Sequence, residues 1–182
     1  MLKKILVAAS LGALMFSAQA AEKIRVGTEP TFAPFEFMET KTNTITGFDI
    51  DLIKAVGTKA GYEVEVQSMG FDALIPALKT GAIDVAAAGI SITEERKKAV
   101  DFTTPYYESG LAYMTLKKNA EKFPTFESLK GQTVAVQIGN TGADYAKNKL
   151  GAKLLTFNTT SEAFMDLSSG MSSQAVVLDR PV

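Results

Sequence analysis

The chain is 182 residues long, 46% hydrophobic and 21% charged, the composition of a globular protein of one or two domains rather than a disordered or collagen-like chain. Nineteen Lys+Arg against 20 Asp+Glu leave a net charge of -1, so no global field draws it to nucleic acid or to an anionic membrane. It has no Cys and no His, which excludes disulfide frameworks, thiol nucleophiles, Ser-His-Asp catalysis and thiolate or imidazole metal sites; neither metal nor cofactor is expected.

Met1 to Ala20 carries Lys3 and Lys4, an apolar run from Ile5 to Phe16, and then Ser17-Ala18-Gln19-Ala20. The run is too short to cross about 30 Å of hydrocarbon, and the small residues at 18 and 20 fit a signal-peptidase site. Residues 1–20 read as an export signal, cleaved after Ala20, with no Cys for lipid attachment. The product is expected to be exported and soluble.

From Lys23, short β-rich runs alternate with longer amphipathic stretches, the pattern of an α/β sheet covered by crossover helices. Ile24 to Gly27 predicts a first strand. Asp49 to Ala60 predicts a helix with Ile50, Ile53 and Val56/Gly57 on one face, ended by Gly61. Glu63 to Gln67 alternates as a strand; Phe71 to Thr80 predicts a helix in which Pro76 marks a kink or a late start; Ile83 to Ala88 reads as an apolar strand. Three such steps point to a parallel sheet with a ligand crevice at the carboxyl ends of its strands.

Periodicity breaks over residues 117–131, and a second lobe with the same rhythm begins. It has a strand at Thr133 to Val136, a Gly139-Asn140-Thr141-Gly142 turn, a helix over Ala143 to Leu150, a strand at Lys153 to Phe157, a helix over Ser161 to Leu167 and a strand at Ala175 to Leu178. The sequence ends at Val182, directly after that strand, and reads as a lobe cut short.

Four places invite a functional reading. Glu29 to Phe37 reads as a loop after the first strand, with two prolines and three phenylalanines; its aromatics are either satellite core or the walls of a ligand crevice. Phe71 lies similarly at a strand end. In Ala88-Gly89-Ile90-Ser91-Ile92-Thr93-Glu94-Glu95-Arg96, Thr93 resembles a helix cap, and Arg96 is either a solvated helix charge or a clamp for a carboxylate. Gly139 to Gly142 is either a plain turn or an anion site, and Asp179 either caps a turn or faces the crevice as a counter-charge.

Taken together, several segments resemble, in order and spacing, the polar amino-acid-binding proteins of bacterial ABC importers, solute-binding protein family 3, and the glutamine-binding type most. They are Thr28-Glu29-Pro30-Thr31-Phe32-Ala33-Pro34-Phe35-Glu36, Gly47-Phe48-Asp49-Ile50-Asp51-Leu52, Leu74-Ile75-Pro76-Ala77-Leu78, Ala88 to Thr93, Glu95-Arg96, Asp101-Phe102-Thr103, Pro105-Tyr106-Tyr107 and Val134-Ala135-Val136-Gln137.

That resemblance implies a type II periplasmic-binding-protein fold, the two-lobed Venus flytrap. Lobe 1 would run over 21–109, a hinge crossover over 110–115 and lobe 2 over 116–182, with the second lobe and the return crossover incomplete. It implies that Arg96 clamps a ligand α-carboxylate with help from Ser91 and Thr141, and that the Gly89 carbonyl and Asp179 receive the α-ammonium. Phe32 and Phe71 would sandwich the side chain, and Glu29 would meet its far polar end. Glu29 stands where glutamine binders carry a shorter acid, and Gln137 where they carry Lys, so the pocket is more negative. A second departure is Gly170-Met171-Ser172-Ser173-Gln174-Ala175, which lacks the family's Asp and is one residue longer, loosening the register expected for Asp179.

The expected function is periplasmic capture of a polar L-amino acid by lobe closure, glutamine first and a basic amino acid such as arginine second. The protein would act as a monomer, without catalysis and without nucleic acid, delivering ligand to the membrane permease of an ABC importer. A cyclohexadienyl dehydratase on the same fold is the alternative.

Overall fold

A computed structural model describes residues 21–180. The export signal and its cleavage site lie outside the described residues. No described helix is long and apolar enough to cross a membrane.

The first sheet is built from β1 (Glu22–Thr28), β5 (Tyr62–Ser68) and β6 (Val85–Ala86), in the order β5-β1-β6 and parallel throughout. Helix α1 (Phe48–Ala60) precedes β5, and α2 (Leu74–Thr80) precedes β6. On α1 the buried positions are Asp49, Ile50 and Gly57, whereas Val56 is 53% exposed; the apolar stripe passes through the glycine. The reason is steric: a Cβ on Gly57 would stand 2.3 Å from Val64 Cγ2, so this residue lets the helix lie close on β5. Pro76 falls in the first turn of α2, after a 3-10 turn at Phe71–Ala73, where a missing N–H costs nothing. Of the two options that Pro76 left open, the helix takes the late start.

Two expectations change here. The apolar run Ile83 to Ala88 is a strand only at Val85–Ala86. Ile83 and Ala88 are buried with Leu74 in a core outside the ladder, so their hydrophobicity reports packing and not strand pairing. The segment read as a loop, Glu29 to Phe37, contributes to a small antiparallel sheet of β2 (Thr31–Phe32), β3 (Glu36–Glu39) and β4 (Thr44–Thr46). Strands of two to four residues are too short to show a period, and two prolines obscured them.

After the short helix α3 (Glu94–Lys97), the chain enters β7 (Gly110–Thr115), the edge of a second sheet. The sheet continues through β8 (Thr133–Gln137), α4 (Thr141–Asn148), β9 (Lys153–Phe157), α5 (Thr160–Ser169) and β10 (Ala175–Arg180), in the order β7-β10-β8-β9. It is mixed rather than purely parallel: β8 pairs with β9 and β10 in parallel, and β7 runs antiparallel to β10 with Asp179 opposite Leu111.

Both faces of this sheet are covered, and alternation decides which residue goes where. Val134, Val136, Ala175 and Val177 join Ala146 and Leu129 on one side; Ala135, Val176 and Leu178 join Ala163 and Leu167 on the other. Helix α5 starts with a reciprocal cap between Thr159 and Glu162 and stops at Gly170, whose φ of 66° is left-handed.

Candidate functional site

The carboxyl ends of β1, β6 and β8, the end of β10 and the start of α4 converge on one seam between the two sheets. This is the crevice an α/β sheet leaves for a ligand. A polar line of side chains crosses it. Gln137 Nε2 donates to Glu29 Oε2 at 2.9 Å and to the Asn158 carbonyl at 3.1 Å. Thr31 Oγ1 donates to the same Glu29 oxygen at 2.7 Å, and Thr160 Oγ1 donates to the Thr31 carbonyl at 2.6 Å. Glu29 is 4% exposed. Burial pushes its carboxyl above the ordinary range, and the donors Thr31 and Gln137 pull it back.

Asp179 is held from both sides. Ser91 Oγ donates to its Oδ1 at 3.1 Å, and Thr141 Oγ1 lies 3.0 and 2.9 Å from Oδ1 and Oδ2. Burial raises its carboxyl, opposed by Thr141, Ser91 and the charge of Arg96. The Ser91 and Thr141 hydroxyls are thus committed to Asp179, because a buried carboxylate needs donors. Thr141 stays near because α4 begins hard against β10: a Cβ on Gly142 would come 2.7 Å from the Val177 carbonyl oxygen.

Arg96 lies in α3, whose N-cap Thr93 accepts from the Arg96 amide at 3.1 Å. Its guanidinium donates to the Ser91 carbonyl at 2.7 Å and, across the seam, to the Gly139 carbonyl at 3.0 Å. Its Cζ stands 5.5 Å from the Phe71 ring centroid, within cation–π range. Desolvation lowers its affinity for the proton, and Asp179 and Asp144 raise it. The guanidinium is thus half-buried and hydrogen-bonded to carbonyls on both sides of the seam.

Beneath the seam lies a set of groups that sequence reasoning left without a role. Glu36 on β3 is 1% exposed and Asp49 in the first turn of α1 is 2% exposed. Both stand beside Gly89, with Glu36 Oε1 3.8 Å from where a Cβ on that glycine would be, and burial with the charges of Asp49 and Glu29 pushes Glu36 up to about 10. Asp49 Oδ2 also accepts from the Gly89 amide at 2.8 Å and from the Tyr106 hydroxyl at 2.7 Å. Glu36, Asp49 and Tyr106 all stood within recognisable segments of the sequence; the signal that could have singled them out was two acids inside otherwise apolar surroundings.

All nine residues anticipated as ligand contacts fall at this seam. Glu29, Phe32, Phe71, Gly89, Gln137 and Asp179 surround a cavity of about 10 Å³, closed by Asn140 and Thr160. Phe32, Gly89, Ser91, Thr141 and Asp179 also border a larger cavity of about 520 Å³ that runs toward Tyr106 and Tyr107. The Phe32 ring covers Gly89, where a Cβ would stand 3.0 Å from Cε1. Gly139 to Gly142 serves as the turn into α4: Asn140 is its N-cap and accepts from the Ala143 amide at 2.8 Å. The inner cavity has room for about one water molecule.

The chain matches the bacterial extracellular solute-binding proteins, family 3, over residues 24–170. It is 40% identical over 170 residues to the ABC transporter arginine-binding protein 1 of Escherichia coli, covering 93% of this chain and 68% of that protein. It is 36% identical over 166 residues to the arginine-binding extracellular protein ArtP of Bacillus subtilis, covering 90% of this chain and 64% of the relative. Among solved structures, an ancestral arginine-binding protein bound to arginine superposes with a TM-score of 0.83 at 46% identity, covering 90% of this chain and 72% of that one. The chain therefore belongs to the bacterial extracellular solute-binding proteins of family 3, and its α/β architecture is the periplasmic-binding-protein fold. It spans about two thirds of the length of these curated relatives.

Proposed function

We propose that the protein captures a cationic L-amino acid, with L-arginine the first candidate, and presents it to an ABC importer. The observation that carries this reading is Glu29: a buried acid at the seam whose cross-seam partner, Gln137, is neutral. A guanidinium entering there meets an uncompensated carboxylate and can pair with it in a planar, two-bond geometry. The relatives named for arginine support the same choice and reverse the order expected from the sequence, which had glutamine ahead. They are transport proteins, which favours binding over the dehydratase alternative.

In this reading Arg96 exchanges the Gly139 carbonyl for the ligand α-carboxylate, and Asp179 with the Gly89 carbonyl takes the α-ammonium. Phe32 and Phe71 flank the aliphatic stem. Every charge of the zwitterion then has a partner, as removal from water requires. The lobes are residues 21–109 and 116–182, hinged at 110–115, and closure gives the surface that a permease reads. The protein is exported and acts as a monomer.

Calorimetric titration with L-arginine, L-lysine, L-histidine and L-glutamine tests the reading. Arginine is expected to bind most tightly; binding of glutamine alone, or of none of the four, overturns it.

A further inference from the structure

We propose that the carboxyls of Glu36 and Asp49 share one proton and that this acid pair positions Gly89 at the mouth of the ligand cleft. Glu36 Oε2 and Asp49 Oδ1 are both fully buried, and neither finds a donor among the other described groups. Two ionised carboxyls buried beside the same glycine would repel each other and leave both oxygens unsatisfied. One proton between them satisfies both oxygens and removes one charge.

The other oxygen of Asp49 gives the pair its purpose. Oδ2 accepts from the Gly89 amide at 2.8 Å and from the Tyr106 hydroxyl at 2.7 Å. Gly89 sits at φ 54°, a left-handed turn between Ala88 and Ile90, with the Phe32 ring packed over it. The bond to Asp49 fixes that turn and with it the direction of the Gly89 carbonyl. Tyr106 ties the same carboxyl to the segment that leads into β7.

The groups facing Glu36 come from three places: Asp49 on α1, Glu29 after β1, and Tyr106 from the segment before β7. The two that carry charge are both acidic, so burial and charge act in the same direction and hold the Glu36 proton to about pH 10. Glu36 lines the inner cavity, and it acts on Gly89 through Asp49. Alkali that ionises Glu36 drives the pair apart and frees Gly89.

Carboxyl-carbon NMR on the protein tests the shared proton, with Glu36→Gln supplying the assignment. One glutamate resonance should stand at the protonated position near neutral pH and vanish in E36Q. If every glutamate reads as ionised there, the shared proton is wrong. The Gly89 amide resonance reads the positioning step without any ligand. It should move with the Glu36 titration in the wild type and stay still in E36Q, whose amide donates to Asp49 at every pH; the same movement in both proteins overturns the positioning role.

The consequence for binding rests on the capture of L-arginine. Its Kd should rise more in the wild type than in E36Q as pH passes about 10, approaching about tenfold more per pH unit above that value, while the titration of the ligand's own ammonium is common to both. Parallel profiles overturn the coupling to ligand. Absence of arginine binding in both proteins rejects the capture reading instead, and the two NMR measurements still decide the acid pair.

Discussion

Gln137 and Glu29 lie 108 positions apart in the chain, yet Gln137 Nε2 donates to Glu29 Oε2 at 2.9 Å across the seam. Among the described residues a neutral amide is all that meets this acid from the opposite side, and that sets the charge of the pocket. Gln137→Lys would place an ammonium on Glu29 and compete with a cationic ligand for it. Arginine binding should weaken by about 2 kcal/mol or more, about thirtyfold in Kd, read by calorimetry. An unchanged Kd would separate Glu29 from the ligand side chain.

Arg96 bridges the sheets through the Ser91 and Gly139 carbonyls. Arg96→Lys keeps the charge and loses the planar fork, so binding should fall by about 2 kcal/mol while the melting temperature changes little. Arg96→Ala should abolish measurable binding. Circular dichroism on the same samples separates lost affinity from lost fold.

Asp179 gives two opposite pH dependences. Burial raises its folded-state carboxyl, so its contribution to the stability of the unliganded protein is complete below the ordinary range and is lost as pH rises through the raised value. Ligand ammonium needs the ionised form, so affinity should climb over the same interval. Asp179→Asn should flatten both profiles and weaken binding, checked by thermal melts and titrations from acid to neutral pH.

On the outer face, Arg25 grips Asp84 with its Nε and Nη2 at 3.0 and 2.7 Å while its own amide donates at 2.8 Å. These bonds hold the Asp84 carboxyl down at about 2. Its contribution is present above the ordinary aspartate range and is lost as pH falls toward about 2. Because the pair is exposed, Asp84→Asn should cost little and should reduce the acid sensitivity of the melting temperature, an effect that fades in high salt.

Gly142 tests the link between packing and site. Alanine there would press against the Val177 carbonyl, which is backbone and cannot swing aside. A loss of about 2 kcal/mol in unfolding free energy is expected from denaturant melts, together with weaker ligand binding because Thr141 moves with the start of α4.

Legibility differed between elements for physical reasons. β9 matched the predicted Lys153 to Phe157, and α1, β5, β8, α4 and α5 fell within a few residues of the expected spans, because each carries a full period of burial and a local stop signal such as Gly61 or Gly170. The small sheet β2-β3-β4 did not show, since its strands are shorter than the signal needs. Ile83 to Ala88 misled because apolar residues around a turn look like those in a strand.

The sequence by itself determined the order of the longer helices and of the strands between them, the absence of Cys and His chemistry, and the family, since the ordered segments from Thr28 to Gln137 stand in one linear pattern. Tertiary structure decided which side chains face one another. Only the fold brings Gln137 to Glu29, commits Ser91 and Thr141 to Asp179, makes the Gly110–Thr115 strand antiparallel to β10, and gathers Glu36 and Asp49 beside Gly89. Local periodicity encodes burial, but pairings between residues distant in sequence follow from how two sheets close on each other. Desolvation at that seam sets the charge and hydrogen-bond partners of each group there.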